Sequence, residues 1–130
     1  MLQIDPVQME VLQRMQASAF VGKLTRLLQR AYGDRLAVLT PEAQQLFAAR
    51  LVAQGPAWGL HTESEIAELA MLVMEIKLVG GPQQPMPAWF ATVVNDSTLH
   101  AQAKLYQLVS RWREELDAQF SRPRAALPVR

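Results

Sequence analysis

The sequence predicts an all-α fold: one compact domain of about five helices around a central, buried apolar helix. Helix-start and helix-end signals recur along the chain, with apolar residues at helical spacing between them. The single strand candidate, residues 36–39, is short and lies just before a helix start. The chain has 130 residues, of which 50% are hydrophobic and 19% charged, which suits one domain with a substantial core.

The first helix is predicted to begin at Asp5 and Pro6, to continue to about Ala31, and to end near Gly33. Its second half has one apolar face, made of Phe20, Leu24, Leu27, Leu28 and Ala31. The apolar residues of the first half cluster nearly opposite that face; they are Val7, Val11, Leu12, Met15 and Ala19. Either the helix bends near Gly22, or one long helix carries two apolar stripes and its N-terminal half packs on something else.

The second helix is predicted to start at Thr40 and Pro41, and Gly55-Pro56 weakens or kinks it. Gly59 suits the left-handed position at a helix end. A capping box, Thr62 to Glu65, then opens a helix over residues 66–79 that is apolar nearly all round. That pattern is typical of a central, buried helix.

Two more helices are predicted, a short one over residues 88–94 and a last one over about residues 98–120. The predicted apolar stripe of the last helix is Leu105, Tyr106, Val109, Trp112, Leu116 and Phe120. Residues 1–120 therefore form the predicted helical domain. Residues 121–130 contain two prolines and three arginines, which predicts a flexible basic tail.

The search for catalytic or ligand-binding residues yields no candidates. The chain has no cysteine, and neither His61 nor His100 has a second ligand at metal-binding spacing. Gly80-Gly81 ends a helix and precedes a proline, whereas a phosphate-binding loop opens a helix and carries lysine. We therefore expect a protein that is not an enzyme and that uses no metal or cofactor.

The charge distribution and the absence of a signal-peptide pattern lead to further expectations. Six basic and four acidic residues lie in residues 1–50, one and five in residues 51–100, and six and three in residues 101–130. Neither basic portion is concentrated enough to predict a nucleic-acid partner.

The most apolar stretch, residues 69–79, is too short and too charged for a membrane span. We expect a cytoplasmic protein.

A protein partner is the main functional expectation. With so few charged residues, some apolar side chains should stay exposed in the monomer, and such patches mark interaction sites. The candidate partner-binding residues are Val7, Val11, Met15, Trp89 and Phe90. Homo-oligomerisation explains the same apolar excess without any foreign partner.

Several segments resemble a family of small helical accessory proteins from type VI secretion loci, which are encoded beside spike (VgrG), PAAR and effector genes. Phe20, Leu24 and Leu27-Leu28 resemble its first amphipathic helix. Residues 58–66 are similar to its aromatic-Gly-aliphatic turn and T-E-x-[DE]-[IV] cap, and Gly80-Gly81 with Pro87-Ala88-Trp89 resembles its closing segment. The resemblance covers about residues 15–116, and Gly55-Pro56 departs from it.

The resemblance implies a co-chaperone-like role: binding an adaptor chaperone or an effector through helix-in-groove contacts and helping to load it on the spike. The alternative is an immunity protein that binds a cognate toxin, for which the acidic middle segment gives slight support. A helix-turn-helix is disfavoured, because the helix after Gly59 is acidic at its start and apolar throughout.

Overall fold

The computed structural model describes residues 5–81 and 85–120, apart from the side chain of Leu12. This part of the chain contains five α-helices and no strand, which confirms the predicted all-α fold. The helices are α1 (Pro6–Tyr32), α2 (Pro41–Gln54), α3 (Glu63–Gly80), α4 (Ala88–Val94) and α5 (Ala101–Phe120). The predicted basic tail, residues 121–130, lies outside the described residues.

Three helix starts are fixed by the caps that the sequence predicts. Asp5 Oδ1 accepts a hydrogen bond from the Gln8 amide at 2.8 Å, and the Gln8 side chain accepts one from the Asp5 amide. Thr62 and Glu65 form the same reciprocal arrangement at α3. Thr40 caps α2 through Ala43. Each cap satisfies an amide that would otherwise lack a partner in the first helical turn.

Helix α3 is the centre of the core, as predicted. Its buried residues are Ile66, Leu69, Ala70, Leu72, Val73, Met74 and Ile76. It contacts α1, α2 and α5, while α4 packs on α5. Because α3 has neighbours on several sides, an apolar residue is favourable at almost every position along it.

The connections between helices explain two glycines. Residues 36–39, the strand candidate, instead lie mostly in a 3-10 turn, Gly33–Val38, whose Leu36 is buried. A second 3-10 turn, Gly55–Trp58, follows α2 and ends at Gly59, which is left-handed (φ 81°) as predicted. A Cβ on Gly55 would lie 2.8 Å from Ile66 Cδ1, so the close approach of this turn to α3 requires glycine there.

The last helix, α5, starts at a different residue and buries a different face from those predicted. It begins at Ala101 rather than about Thr98, because Asp96 accepts the Thr98 amide in a turn and His100 accepts the Ala103 and Lys104 amides. The buried residues of α5 are Lys104, Leu105, Leu108 and Trp112. Three predicted stripe residues, Tyr106, Val109 and Phe120, are instead 74%, 40% and 80% exposed.

Candidate functional site

The N-terminal half of α1, residues 6–19, extends away from the rest of the molecule; we call it the arm. Every described side chain in the arm is exposed, and burial begins at Phe20. At 1.5 Å per residue the arm is about 20 Å long. Helix α1 continues without interruption through Gly22, so its two apolar groups belong to one helix.

The arm carries three of the predicted partner-binding residues on one face. Val7, Val11 and Met15 are 68%, 49% and 63% exposed. Because they recur every four residues, they span an arc of about 80° on the helix surface. The structure therefore places these three side chains together on one solvent-facing stripe.

The stripe leads into a shallow groove between α1 and α2. The groove has a volume of about 430 Å³ and is lined by Ser18, Val21, Glu42, Gln45, Leu46 and Ala49. Leu46 is half exposed there. The apolar residues of this groove, Val21, Leu46 and Ala49, thus lie beside the stripe where α1 meets the body of the protein.

Trp89 and Phe90 are both predicted partner-binding residues; their ring centres lie 6.4 Å apart, but the two side chains differ in exposure. The half-buried Trp89 donates its indole N–H to Glu115 Oε2 at 2.7 Å, and the Arg111 guanidinium lies 5.9 Å from its ring centre. Phe90 is 6% exposed and packs edge-on against Trp58. Phe90 is therefore a core residue rather than a surface one, because α4 turns Phe90 and Val94 towards the interior.

A groove between α3 and α5, which we call the α3–α5 groove, was not identified from the sequence. It has a volume of about 410 Å³. Each helix lines it with residues at i, i+3, i+4 and i+7: Glu68, Met71, Leu72 and Glu75 from α3, and Val109, Trp112, Arg113 and Leu116 from α5. Met71 and Val109 are partly exposed. Two carboxylates on α3 and one guanidinium on α5 flank an apolar floor.

Tyr32 closes one end of the α3–α5 groove and joins it to α1. Its hydroxyl donates a hydrogen bond to the Met71 carbonyl oxygen at 2.8 Å. Burial raises the pKa of Tyr32, the nearby Glu75 carboxylate raises it further, and the Arg35 guanidinium partly opposes the shift. Tyr32 is accordingly neutral near pH 7 and stays a donor, which fixes this end of the groove.

The buried lysine has a structural contact. Lys104 is 3% exposed, and its ammonium donates a 2.6 Å hydrogen bond to the Trp58 carbonyl, at the end of the second 3-10 turn. Cations favour such carbonyl-rich helix ends. The side chain thus joins α5 to the turn before α3.

Neither metal-binding clusters nor membrane spans occur in the described part of the chain. No group of three or more His, Asp or Glu residues is arranged to hold a metal ion there. None of its helices combines the length and apolarity needed to cross a bilayer. Among known proteins, no family model matches the chain, and no curated protein or solved structure is significantly similar to it. The likeness to type VI secretion accessory proteins is therefore carried only by the sequence segments named above.

Proposed function

We propose that this protein is a non-catalytic binding factor for another protein, acting in the cytoplasm as an accessory chaperone that loads a type VI secretion effector or its adaptor. The observation that carries the binding role is the α3–α5 groove. It is a largely apolar surface that lies open between two helices in contact, α3 and α5. The secretion role comes from the sequence resemblance.

The dimensions of the groove favour a helical ligand. Its lining residues extend over eight positions of each helix, from Glu68 to Glu75 and from Val109 to Leu116, which are seven steps along the helix axis. At 1.5 Å per residue this is about 10 Å, or two turns of a bound helix. Two turns present an i, i+3, i+4, i+7 set of apolar side chains, which is the usual way a helix docks in a groove.

The charges at the groove edges favour one orientation of that ligand. Glu68 and Glu75 lie one heptad apart on α3, and Arg113 lies on α5. A bound amphipathic helix with basic residues on one flank would complement the α3 edge. Electrostatic complementarity of this kind sets specificity and association rate more than affinity.

Binding in this groove would suit a loading factor. An effector segment held there keeps its apolar face out of water until it is passed to the secretion spike. The contact between Tyr32 and Met71 keeps one end of the groove formed without ligand, which lowers the entropy cost of binding.

The test is photo-crosslinking in the cells that encode the protein, with a photoreactive amino acid at Arg113, which is exposed at the α5 edge of the groove. Met71→Glu and Val109→Glu should each remove the crosslinked partner, because each puts a carboxylate on the apolar floor. Val38→Glu is the matched control, since Val38 is exposed outside the groove. Circular dichroism must show that all three variants fold.

Identification of an exported effector or its adaptor as the groove-dependent partner supports the proposal. A partner that both groove variants retain would refute binding at this site. A partner that is a toxin, inactive in the complex, would establish the alternative function of an immunity protein. The acidic α3 edge favours that alternative over others, because a carboxylate-bearing surface can cover a basic active site.

A further inference from the structure

We propose that the arm binds the arm of a second copy of this chain, antiparallel and about a two-fold axis at position 12, to form a homodimer. The proposal does not depend on the proposed function, because the arm and the α3–α5 groove share no residue. The arm has fourteen residues, all exposed where described, with only a capping box at its start. Isolated helices shorter than about 12–15 residues are marginal in water, so an arm of this length gains most from a neighbour.

The apolar stripe is spaced for antiparallel self-packing. With an axis at position 12, Val11 lies one residue to one side of the axis and Val11 of the second copy one residue to the other. Met15 and Val7 then alternate with the same residues of the second copy along the seam, about every 3 Å at 1.5 Å per residue. No two of these three side chains and their copies lie at the same level, so they interdigitate as knobs do in coiled coils.

The charges of the arm favour a second copy as the partner, in the antiparallel orientation. Glu10 and Arg14 lie two residues before and two residues after position 12, within about 40° of each other on the same edge of the stripe. The two-fold axis therefore sets each Glu10 opposite Arg14 of the second copy, making two ion pairs. A parallel two-fold pair in register would instead place this edge of the two copies on opposite sides of the seam, so that Glu10 and Arg14 of the second copy would not meet. Neither residue makes an ion pair within the described part of the chain.

The body of each protomer extends the interface. Position 6 of the second copy falls at the level of Ser18, where the stripe meets the groove between α1 and α2. The N-terminal turn of each arm would thus cover Leu46 and Ala49, which line that groove. The contact is the same on both copies, so the assembly closes as a dimer and does not continue as a filament.

Sedimentation equilibrium of the full chain over a range of concentrations tests the proposal. The wild type should approach twice the protomer mass of 14.6 kDa, and Val11→Glu should remain at the protomer mass. Glu10→Arg and Arg14→Glu should each weaken the dimer about tenfold, since each leaves two like-charged pairs at the seam. The double variant E10R/R14E should restore it. Glu114→Arg, the same charge change on the exposed face of α5, is the control and should have no effect.

Cysteine crosslinking checks the orientation, because the chain has no native cysteine. Val11→Cys should form a disulfide-linked dimer under mild oxidation, whereas Met9→Cys, on a different face of the arm, should not. A wild-type chain that stays monomeric at high concentration would overturn the proposal, as would a dimer that the charge swaps leave unchanged. Either result would leave the crosslinking test of the α3–α5 groove intact, so failure of the dimer and failure of the groove are distinguishable.

Discussion

The two halves of α1 have similar apolar spacing and opposite environments. The C-terminal half contributes Phe20, Leu24, Leu28 and Tyr32 to the core, whereas the arm contributes no buried side chain. Both halves have apolar residues four positions apart in one uninterrupted helix. The difference arises from neighbours: α2 and α3 pack against the C-terminal half. An apolar stripe is thus stabilising only where another surface removes it from water.

Polar contacts reinforce the same difference. Gln44 is buried at the start of α2; its amide N–H groups donate to the Leu36 and Leu39 carbonyls, and its side-chain oxygen accepts from Gln29 of α1. Tyr32 adds its bond to Met71. The arm has only its capping box. We therefore expect the two halves to respond very differently to substitution.

The largest difference should come from truncating one apolar residue in each half. Leu24→Ala removes a side chain that is 1% exposed and should lower the free energy of unfolding by about 2–5 kcal/mol. Val11→Ala, in the arm, should lower it by less than about 0.5 kcal/mol in the monomer. Urea denaturation at low protein concentration measures both. Similar losses in the two variants would mean that the arm is covered in solution by its own chain.

A smaller loss of unfolding free energy should follow from removing the polar contact between α1 and the start of α2. Gln44→Ala leaves the Leu36 and Leu39 carbonyls without this donor and should cost about 1–3 kcal/mol. Its neighbour Gln45 is exposed, so Gln45→Ala is the matched control and should be near neutral. Equal effects of the two substitutions would show that solvent satisfies both carbonyls.

Much of this fold could be predicted because its signals are local. The caps at Asp5, Thr40 and Thr62 each depend on residues within one helical turn. Gly59 is left-handed because it ends the 3-10 turn directly before it, a position that favours glycine. The start of α5 was missed because His100 provides the cap, and histidine is not among the common capping residues.

The binding surfaces were harder to predict because they depend on tertiary packing. Periodicity identified the stripe of Val7, Val11 and Met15, but it could not decide whether the chain covers that stripe. Phe90 was misplaced because a seven-residue helix has too little periodicity to show its inward face. The α3–α5 groove joins two helices distant in sequence. The only local signal was the spacing of Glu68 and Glu75, one heptad apart in the largely apolar part of α3.

The two capping boxes extend the comparison to helix ends. Thr62→Ala removes the cap of the central helix and should lower global stability by about 1 kcal/mol. Asp5→Ala removes the cap of the arm and should fray its first turns while leaving the unfolding midpoint unchanged. Amide hydrogen exchange separates these outcomes, since it reports local opening and global unfolding independently. Loss of global stability in Asp5→Ala would indicate that the arm unfolds together with the core.

The smallest effect should appear at alkaline pH and should come from Tyr32, at the C-terminal end of α1. The pKa of Tyr32 is raised in the folded protein, chiefly by burial, above its ordinary value of 10.0. A raised folded-state pKa means that folding favours the protonated phenol. This contribution to stability is complete below pH 10 and is lost as the pH rises through the folded-state pKa.

The free energy of unfolding, measured between pH 8 and 11, should therefore fall with rising pH, and it should fall less in Tyr32→Phe than in the wild type. That variant is less stable than the wild type at pH 8, because it lacks the hydroxyl that donates to Met71. Tyr106→Phe is the control, since Tyr106 is exposed on α5, and it should retain the wild-type decline. If the free energy of unfolding of Tyr32→Phe fell as steeply with pH as that of the wild type, the Tyr32 phenol would have to be exposed to solvent in the folded protein, as the side chains of the arm are. The α3–α5 groove would then lack the closed end that Tyr32 gives it.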